Sequence, residues 1–307
     1  MTILLNPWAD PENWHETLSS LLPDEEIILW QDGIDPTDVE MLIAWRMKRD
    51  DLATFTNLRT IFSMGAGVDQ WLRDGSPNVQ LVRLADPAMS NEMAAYAVHW
   101  VTHYQRGFDS RYEPAGTSAW GMNSAPTSGA YRVGLLGFGQ IGQRIGSAFN
   151  DLGYQVRSWT RSGVVEDWVT SYSGTDQLEV FLGDCDAVIN ILPNTAATQG
   201  LLTAERFAQF NRGATFINIG RGTVIADESE LIAAVDEGRL GGVVLDVLKT
   251  EPPAVDAPLL HHSTIRVTPH ISGMTQRSTA AKLIAANIER IRRGEEPFPV
   301  VDRSAGY

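Results

Sequence analysis

Three short segments carry side chains that could bind an anion or exchange a proton. Asn218-Ile219-Gly220-Arg221-Gly222 sets an arginine between two glycines, directly after an apolar run. Leu245-Asp246-Val247-Leu248-Lys249-Thr250-Glu251-Pro252 places carboxylates at the end of the next apolar run and in the loop beyond it. Thr268-Pro269-His270 closes the last such run. A guanidinium is a planar, two-pronged donor suited to a carboxylate. A carboxylate beside an imidazole orients the ring and favours its charged form, and an imidazolium can donate a proton near neutral pH. Taken singly, each segment also reads as ordinary surface chemistry: an exposed arginine, a solvated glutamate, a capping histidine.

A fourth segment points to a nucleotide. Gly137-Phe138-Gly139-Gln140-Ile141-Gly142 is a G-x-G-x-x-G that follows the apolar run Val133-Gly134-Leu135-Leu136 and opens an amphipathic helix. Gly137 permits a tight turn, Gly139 lets the backbone approach a pyrophosphate, and Gly142 lets helix and strand pack closely. The helix start adds unpaired N–H groups and the positive end of the dipole. A purely structural glycine turn is the alternative. The second strand of such a unit ends at Thr160-Arg161-Ser162, and Arg161 stands 19 residues beyond Gly142. An NAD site usually has Asp or Glu there to hold the ribose 2′-hydroxyl. Here all three residues can donate to a 2′-phosphate and none repels it, so NADPH is expected in preference to NADH. An arginine–phosphate contact is worth about 1.5–3 kcal/mol. A surface arginine with no ligand is the competing reading.

The elements that must position these groups alternate along the chain. Ile3–Leu5, Ile27–Trp30, Met41–Trp45, Thr60–Ser63 and Gln80–Leu84 read as buried strands, with helical segments such as Pro11–Leu22 and Asp50–Phe55 between them. A second series has strands at Arg132–Leu136, Gln155–Trp159, Ala187–Leu192, Thr215–Ile219, Gly242–Asp246 and Thr264–Val267. Its helices are Gln140–Leu152, Thr203–Phe210 and Glu228–Glu237. Such alternation predicts α/β architecture with parallel sheets covered on both faces. The glycine turn and all three chemical segments fall at carboxyl ends of strands, where open α/β sheets bind ligands. Ser90–Phe108 reads as a long helix capped by Ser90 or Asn91 with Glu92 in its first turn, and Thr275–Arg293 as a last helix returning to the first series. Two domains are expected, a substrate-binding domain at 1–98 completed by 272–307 and a dinucleotide-binding domain at 99–271, with a cleft that closes on substrate. The Gly-, Pro- and Ser-rich stretch 111–130 reads as an arm contacting a second subunit, giving a homodimer, or as a plain linker.

Composition narrows the partners. The 307 residues include 38 acidic and 24 basic side chains, for a net charge of −14, which disfavours a nucleic-acid partner. Lysines occur only at 48, 249 and 282, so an anion is expected to meet arginine. The one cysteine, Cys185, leads into an apolar run and reads as a core thiol. His99 and His103 have metal-ligand spacing but no third ligand is evident, so no metal is expected. No run reaches the roughly 18 apolar residues of a membrane span, and the N-terminus lacks a signal peptide's basic region. The chain reads as a soluble cytoplasmic protein.

Taken together, the glycine turn, the G-R-G, the L-D-V-x-x-x-E-P and the P-H resemble, in order and spacing, the D-isomer-specific 2-hydroxyacid dehydrogenase family. Met64-Gly65-Ala66-Gly67-Val68-Asp69, Trp159-Thr160-Arg161 and the long loop look most like its glyoxylate/hydroxypyruvate reductase branch. The resemblance covers most of the chain. It implies a Rossmann-type coenzyme domain and a smaller flavodoxin-like substrate domain. It also implies NADPH-dependent reduction of small 2-keto acids, with His270 as general acid, Glu251 as its partner and Arg221 on the substrate carboxylate. The backbone N–H groups of Ala66 and Gly67 would take the carboxylate's other oxygen. Asp246 would orient the nicotinamide carboxamide, and Leu192, Pro193, Asn194, Thr195 and Ile219 would border the cofactor. Trp45 and Met274 are candidates to line the substrate, with core packing the other reading for Trp45. Competing functions are another hydroxyacid dehydrogenase of the family, phosphoglycerate-linked ones included, and a non-enzymatic NADP(H)-sensing protein on the same fold. The absence of an appended tail after Pro299 counts against the sensor.

Overall fold

The computed structural model describes residues 2–30, 34–73, 75–108 and 125–307. Its chain divides into two compact units, Met1–Met89 with Thr275–Tyr307, and Ser90–Met274. The sequence reading put these divisions at 98/99 and 271/272.

In the first unit the strands are β1 (Thr2–Asn6), β2 (Glu26–Leu29), β3 (Met41–Ala44), β4 (Thr60–Ser63) and β5 (Gln80–Val82). They form one parallel sheet in the order β2-β1-β3-β4-β5, the flavodoxin-like arrangement. Every residue of β3 and β4 is buried, as expected of strands covered on both faces. Helix α1 (Pro11–Leu21) starts with proline at its first turn and buries Trp14 and Leu18, four residues apart on one face. A short helix α2 (Arg49–Leu52) follows β3.

Helix α3 (Pro87–Arg106) begins earlier than its sequence suggests. Its start is held by Asp86, whose carboxylate accepts the Ala88 N–H at 2.9 Å, with Pro87 at the first helical position. Ser90, Asn91 and Glu92 therefore lie inside the helix. An aspartate–proline pair outcompetes the later serine because Asp86 satisfies an orphan N–H of the true first turn and Pro87 has none to satisfy.

The second unit holds β6 (Arg132–Leu136), β7 (Gln155–Thr160), β8 (Val169–Ser173), β9 (Ala187–Asn190), β10 (Ala214–Asn218), β11 (Leu240–Leu245) and β12 (Ile265–Val267). All pair in parallel in the order β12-β11-β10-β9-β6-β7-β8. This is the doubly wound Rossmann order with a seventh strand, and its order reverses between β6 and β9. Helices α4 (Gln140–Asp151), α5 (Leu178–Gly183), α6 (Ala204–Gln209), α7 (Glu228–Asp236) and α8 (Pro258–His261) connect the strands. Phe181, Phe207, Phe210 and Phe216 are buried in one core cluster with Cys185, whose thiol pKa burial raises. In the first unit, helix α9 (Arg277–Arg292) packs against α1 and buries Ala280, Ala281, Ile284, Ala285 and Ile288 along one stripe.

The structure thus has the expected α/β class and both sheet types. It adds β8 and α5, which the hydrophobic pattern did not show. Of the stretch proposed as a subunit arm, 111–124 lies outside the described residues, and Ser128–Ala130 forms a single 3-10 turn.

Candidate active site

The glycine turn lies at the reversal point of the Rossmann sheet, directly after β6. Gly137 has φ 102°, a left-handed backbone that favours glycine, and its N–H bonds to the Trp159 carbonyl at 3.0 Å. A Cβ on Gly142 would stand 2.5 Å from the Gly137 carbonyl oxygen, so helix α4 can start there only as glycine. Gly139 is different. It is exposed, has an ordinary φ of −73°, and a Cβ built on it meets nothing within 4 Å. The space in front of it is open for a phosphate, at a helix start with no side-chain cap and no acidic residue in its first turn. Phe138 is buried and packs against Gly146 and Trp168. Gln140 and Ile141 are half-buried in the first turn of α4.

β7 ends at Thr160, and Arg161 and Ser162 follow it into solvent. Thr160 Oγ1 is a buried hydroxyl without a hydrogen-bond partner. An orphaned buried donor at this strand end is what a ligand oxygen would satisfy.

The ends of β9 and β10 complete the turn's surroundings. Asn190 and Asn218 are fully buried, and Asn190 Nδ2 donates to Asn218 Oδ1 at 2.8 Å. Asn190 Oδ1 accepts the Leu192 N–H at 3.2 Å, while Asn218 Nδ2 donates to the Arg221 carbonyl at 3.1 Å and Asn218 Oδ1 accepts the Gly220 N–H at 3.3 Å. One amide pair therefore shapes both the Leu192-Pro193 loop and the turn that carries Arg221. Leu192 Cδ2 would lie 3.4 Å from a Cβ on Gly137, so that loop and the glycine turn are neighbours. Thr195 is tied into the loop by its N–H to Thr198 Oγ1 at 2.9 Å, and Asn194 Oδ1 accepts the Thr223 hydroxyl at 2.9 Å. Ile219 is buried. Sequence reading overlooked both asparagines, although each ends an apolar strand (Ala187-Val188-Ile189-Asn190 and Thr215-Phe216-Ile217-Asn218), where a buried amide is out of place.

The three chemical segments meet on this side of the unit. A Cβ on Gly222 would stand 2.0 Å from the Leu248 carbonyl carbon, so the Arg221 turn rests directly on the loop leading to Glu251. Glu251 Oε2 lies 2.9 Å from His270 Nδ1, and Glu251 Oε1 accepts the Leu248 N–H at 2.9 Å. Burial pushes the Glu251 carboxyl up. The hydrogen bonds from His270 and Leu248 and the positive charges of His270 and Arg221 outweigh burial and hold it below the usual glutamate value. Arg221 is half-buried, with Nη1 on the Gly220 carbonyl at 2.8 Å. Such a grouping can bind a carboxylate and deliver a proton.

Asp246, at the end of β11, is 1% exposed. Its carboxylate accepts from Thr268 Oγ1 at 2.6 Å and from the N–H groups of Ile271 and Ser272, each at 2.8 Å. Its carbonyl accepts the His270 N–H at 2.9 Å. In the same unit Met274 is exposed.

Trp45, Ala66 and Gly67 belong to the first unit, at the carboxyl ends of β3 and β4. Ala66 and Gly67 are half-buried. Ser63 Oγ both donates to the Gly65 carbonyl, at 3.0 Å, and accepts its N–H, at 3.3 Å. Trp45 packs its ring on Gly65, where a Cβ would be 3.0 Å from Cζ3, and the Gln70 amide donates to its carbonyl. Among the described residues no group of three or more His, Cys, Asp or Glu side chains is placed to hold a metal, and no helix is long and apolar enough to cross a membrane.

A Rossmann sheet with a glycine turn at its reversal point, and arginine, glutamate and histidine at neighbouring strand ends, is the architecture of a dinucleotide-linked dehydrogenase. Residues 103–272 match the NAD binding domain of the D-isomer specific 2-hydroxyacid dehydrogenases. Over 312 aligned residues, 99% of each chain, the sequence is 34% identical to glyoxylate/hydroxypyruvate reductase A of Serratia proteamaculans. The chain belongs to the D-isomer specific 2-hydroxyacid dehydrogenase family. Among solved structures it is similar to a dehydrogenase of this family from Xanthobacter autotrophicus in complex with NADPH and MES (TM-score 0.92, 34% identity, 100% of this chain and 99% of that one). It is equally similar in fold to the NADPH-dependent glyoxylate/hydroxypyruvate reductase of Sinorhizobium meliloti in complex with NADP and sulfate (TM-score 0.92, 28% identity, 100% of this chain and 99% of that one).

Proposed function

We propose that this protein reduces small 2-keto acids such as glyoxylate and hydroxypyruvate to 2-hydroxy acids, using NADPH in preference to NADH, with His270 as the general acid. The observation that carries the reading is the 2.9 Å contact between His270 Nδ1 and Glu251 Oε2, with the Arg221 charge acting on the same carboxylate. The relatives' names support the substrate class, and the nicotinamide complexes of the solved neighbours support the cofactor.

The residues present fit NADP(H). The open space at Gly139 and the uncapped start of α4 suit the pyrophosphate, and the orphaned Thr160 hydroxyl with Arg161 and Ser162 suits the 2′-phosphate. Leu192, Pro193, Thr195 and Ile219 would border the bound cofactor, and Asp246 would orient its carboxamide. When bound, the cofactor supplies a hydride to the keto carbon. Arg221 holds the substrate carboxylate and polarises the keto oxygen, which gains negative charge as the reaction proceeds. His270, with Nδ1 turned to Glu251, presents Nε2 to that oxygen and gives up its proton. Glu251 orients the ring through its contact with Nδ1. A substrate-facing role for Trp45, Ala66, Gly67 and Met274 is part of the same proposal and would show as raised KM on their substitution. The net charge of −14 counts against nucleic acid as a partner, and the reading has the enzyme as a cytoplasmic homodimer.

Loss of NADPH absorbance on adding glyoxylate or hydroxypyruvate tests the reading directly. Turnover with either acid, faster with NADPH than NADH, is expected. No turnover on a panel of 2-keto acids with both cofactors would overturn it.

A further inference from the structure

We propose that Tyr96 and Thr268 are positioning residues for His270, acting through a relay of hydrogen bonds that ends on Asp246. The inference rests on the proposed role of His270 as proton donor. Tyr96, on α3, places its hydroxyl 2.7 Å from Thr268 Oγ1, and Thr268 Oγ1 donates to Asp246 Oδ1 at 2.6 Å.

The direction of each bond follows from the inventory of protons. The Asp246 carboxylate accepts and has no proton to give, so the single hydroxyl proton of Thr268 is spent on it. Thr268 then faces Tyr96 with lone pairs, and Tyr96 must donate. The phenol stays protonated through the neutral range, because burial pushes its pKa up to about 12.

His270 has reason to need such support. Its φ is 55°, a left-handed backbone that is unfavourable for a residue with a Cβ. Such a conformation persists only where the surroundings hold it. Asp246 does so from both sides, taking the His270 N–H on its carbonyl at 2.9 Å and the next two N–H groups, of Ile271 and Ser272, on its carboxylate. The carboxylate can grip that loop only in one orientation of its side chain, and Thr268, itself bonded to Tyr96, holds Oδ1, the oxygen that also takes the Ile271 N–H. A proton donor displaced by an ångström loses much of its rate advantage, so the relay bears on turnover although neither hydroxyl is assigned a contact with the reacting atoms.

Thr268→Val keeps the shape and removes the donor. It is expected to lower kcat for glyoxylate by about ten- to hundred-fold, with the NADPH dissociation constant unchanged. Thr268→Ser should recover most of the loss. Tyr96→Phe should lower kcat by less, and the double variant Tyr96→Phe/Thr268→Val should be no slower than Thr268→Val alone, because a broken relay is not broken twice. The imidazole NMR signals of His270 in protein without substrate give a readout apart from activity. One sharp set is expected in the parent and shifted or doubled signals in Thr268→Val. Parental kcat and imidazole signals in Thr268→Val would overturn the proposal. So would a loss confined to melting temperature, or one confined to NADPH affinity. If the parent reduced no keto acid, the functional reading would fail, while the imidazole signals would still decide whether the relay holds His270.

Discussion

His270 Nδ1 and Glu251 Oε2 are 2.9 Å apart, although 19 residues separate them in sequence. The pair commits Nδ1 to the carboxylate and leaves Nε2 as the ring nitrogen that would give the proton in the proposed reaction. His270→Ala removes the donor while leaving the glycine turn and Arg161 untouched. We expect kcat to fall by about 10²–10⁴-fold, with NADPH affinity retained, as measured by single-turnover kinetics and a nucleotide titration. Near-parental kcat on every keto acid tried would assign the proton to another group.

Glu251→Gln tests the charge of that partner. The folded-state carboxyl lies below its ordinary value, so the ion pair stabilises the protein above the unfolded glutamate value of about 4.3 and fades as pH falls through the lower folded value. Across the neutral range Glu251 is therefore charged and accepts from His270. Any loss of kcat/KM on acidification that comes from protonating this carboxylate should be absent in the glutamine variant. A glutamine variant that kept the parental acid limb would assign that limb to another group.

Much of this site was readable in the sequence because glycine and proline punctuate it. Gly137-x-Gly139-x-x-Gly142, Gly220-Arg221-Gly222 and Pro269-His270 each sit where an apolar run stops, and the structure places all of them at strand ends. What was not readable depends on partners distant in sequence. β8 was missed because it is an edge strand paired only with β7, and Val169-Thr170-Ser171-Tyr172-Ser173 buries only its first residue. No hydrophobic alternation marks such a strand. The Asn190–Asn218 bond and the Tyr96–Thr268 bond join residues 28 and 172 positions apart, and neither leaves a local pattern. The bonds of Asp246 to Thr268, Ile271 and Ser272 likewise join residues 22 to 26 positions apart and leave no local pattern.

Arg161 decides between the two nicotinamide cofactors if the proposed reading is right. It is exposed beyond the end of β7, next to the orphaned Thr160 hydroxyl. Losing a charge-assisted contact of about 1.5–3 kcal/mol corresponds to roughly ten- to hundred-fold in affinity. Arg161→Ala should raise the KM for NADPH by that factor and leave NADH nearly unchanged, as compared through kcat/KM at one saturating keto acid. An unchanged preference would move 2′-phosphate recognition to other residues.

The glycines of the turn separate binding from folding. A Cβ on Gly142 would press to 2.5 Å from the Gly137 carbonyl oxygen, a backbone atom that cannot swing aside. Gly142→Ala should therefore destabilise the protein, by about 1–3 kcal/mol on the scale of overpacked cores, and lower its melting temperature. Gly139→Ala meets no protein atom within 4 Å and needs no unusual backbone angle, so the fold should tolerate it without loss of melting temperature. The added methyl instead fills the space through which the pyrophosphate approaches the start of α4. NADPH affinity should fall by about ten-fold or more, the loss of one charged hydrogen bond, and titration of nucleotide fluorescence would measure it. A Gly139→Ala protein that bound NADPH like the parent would place the phosphates elsewhere.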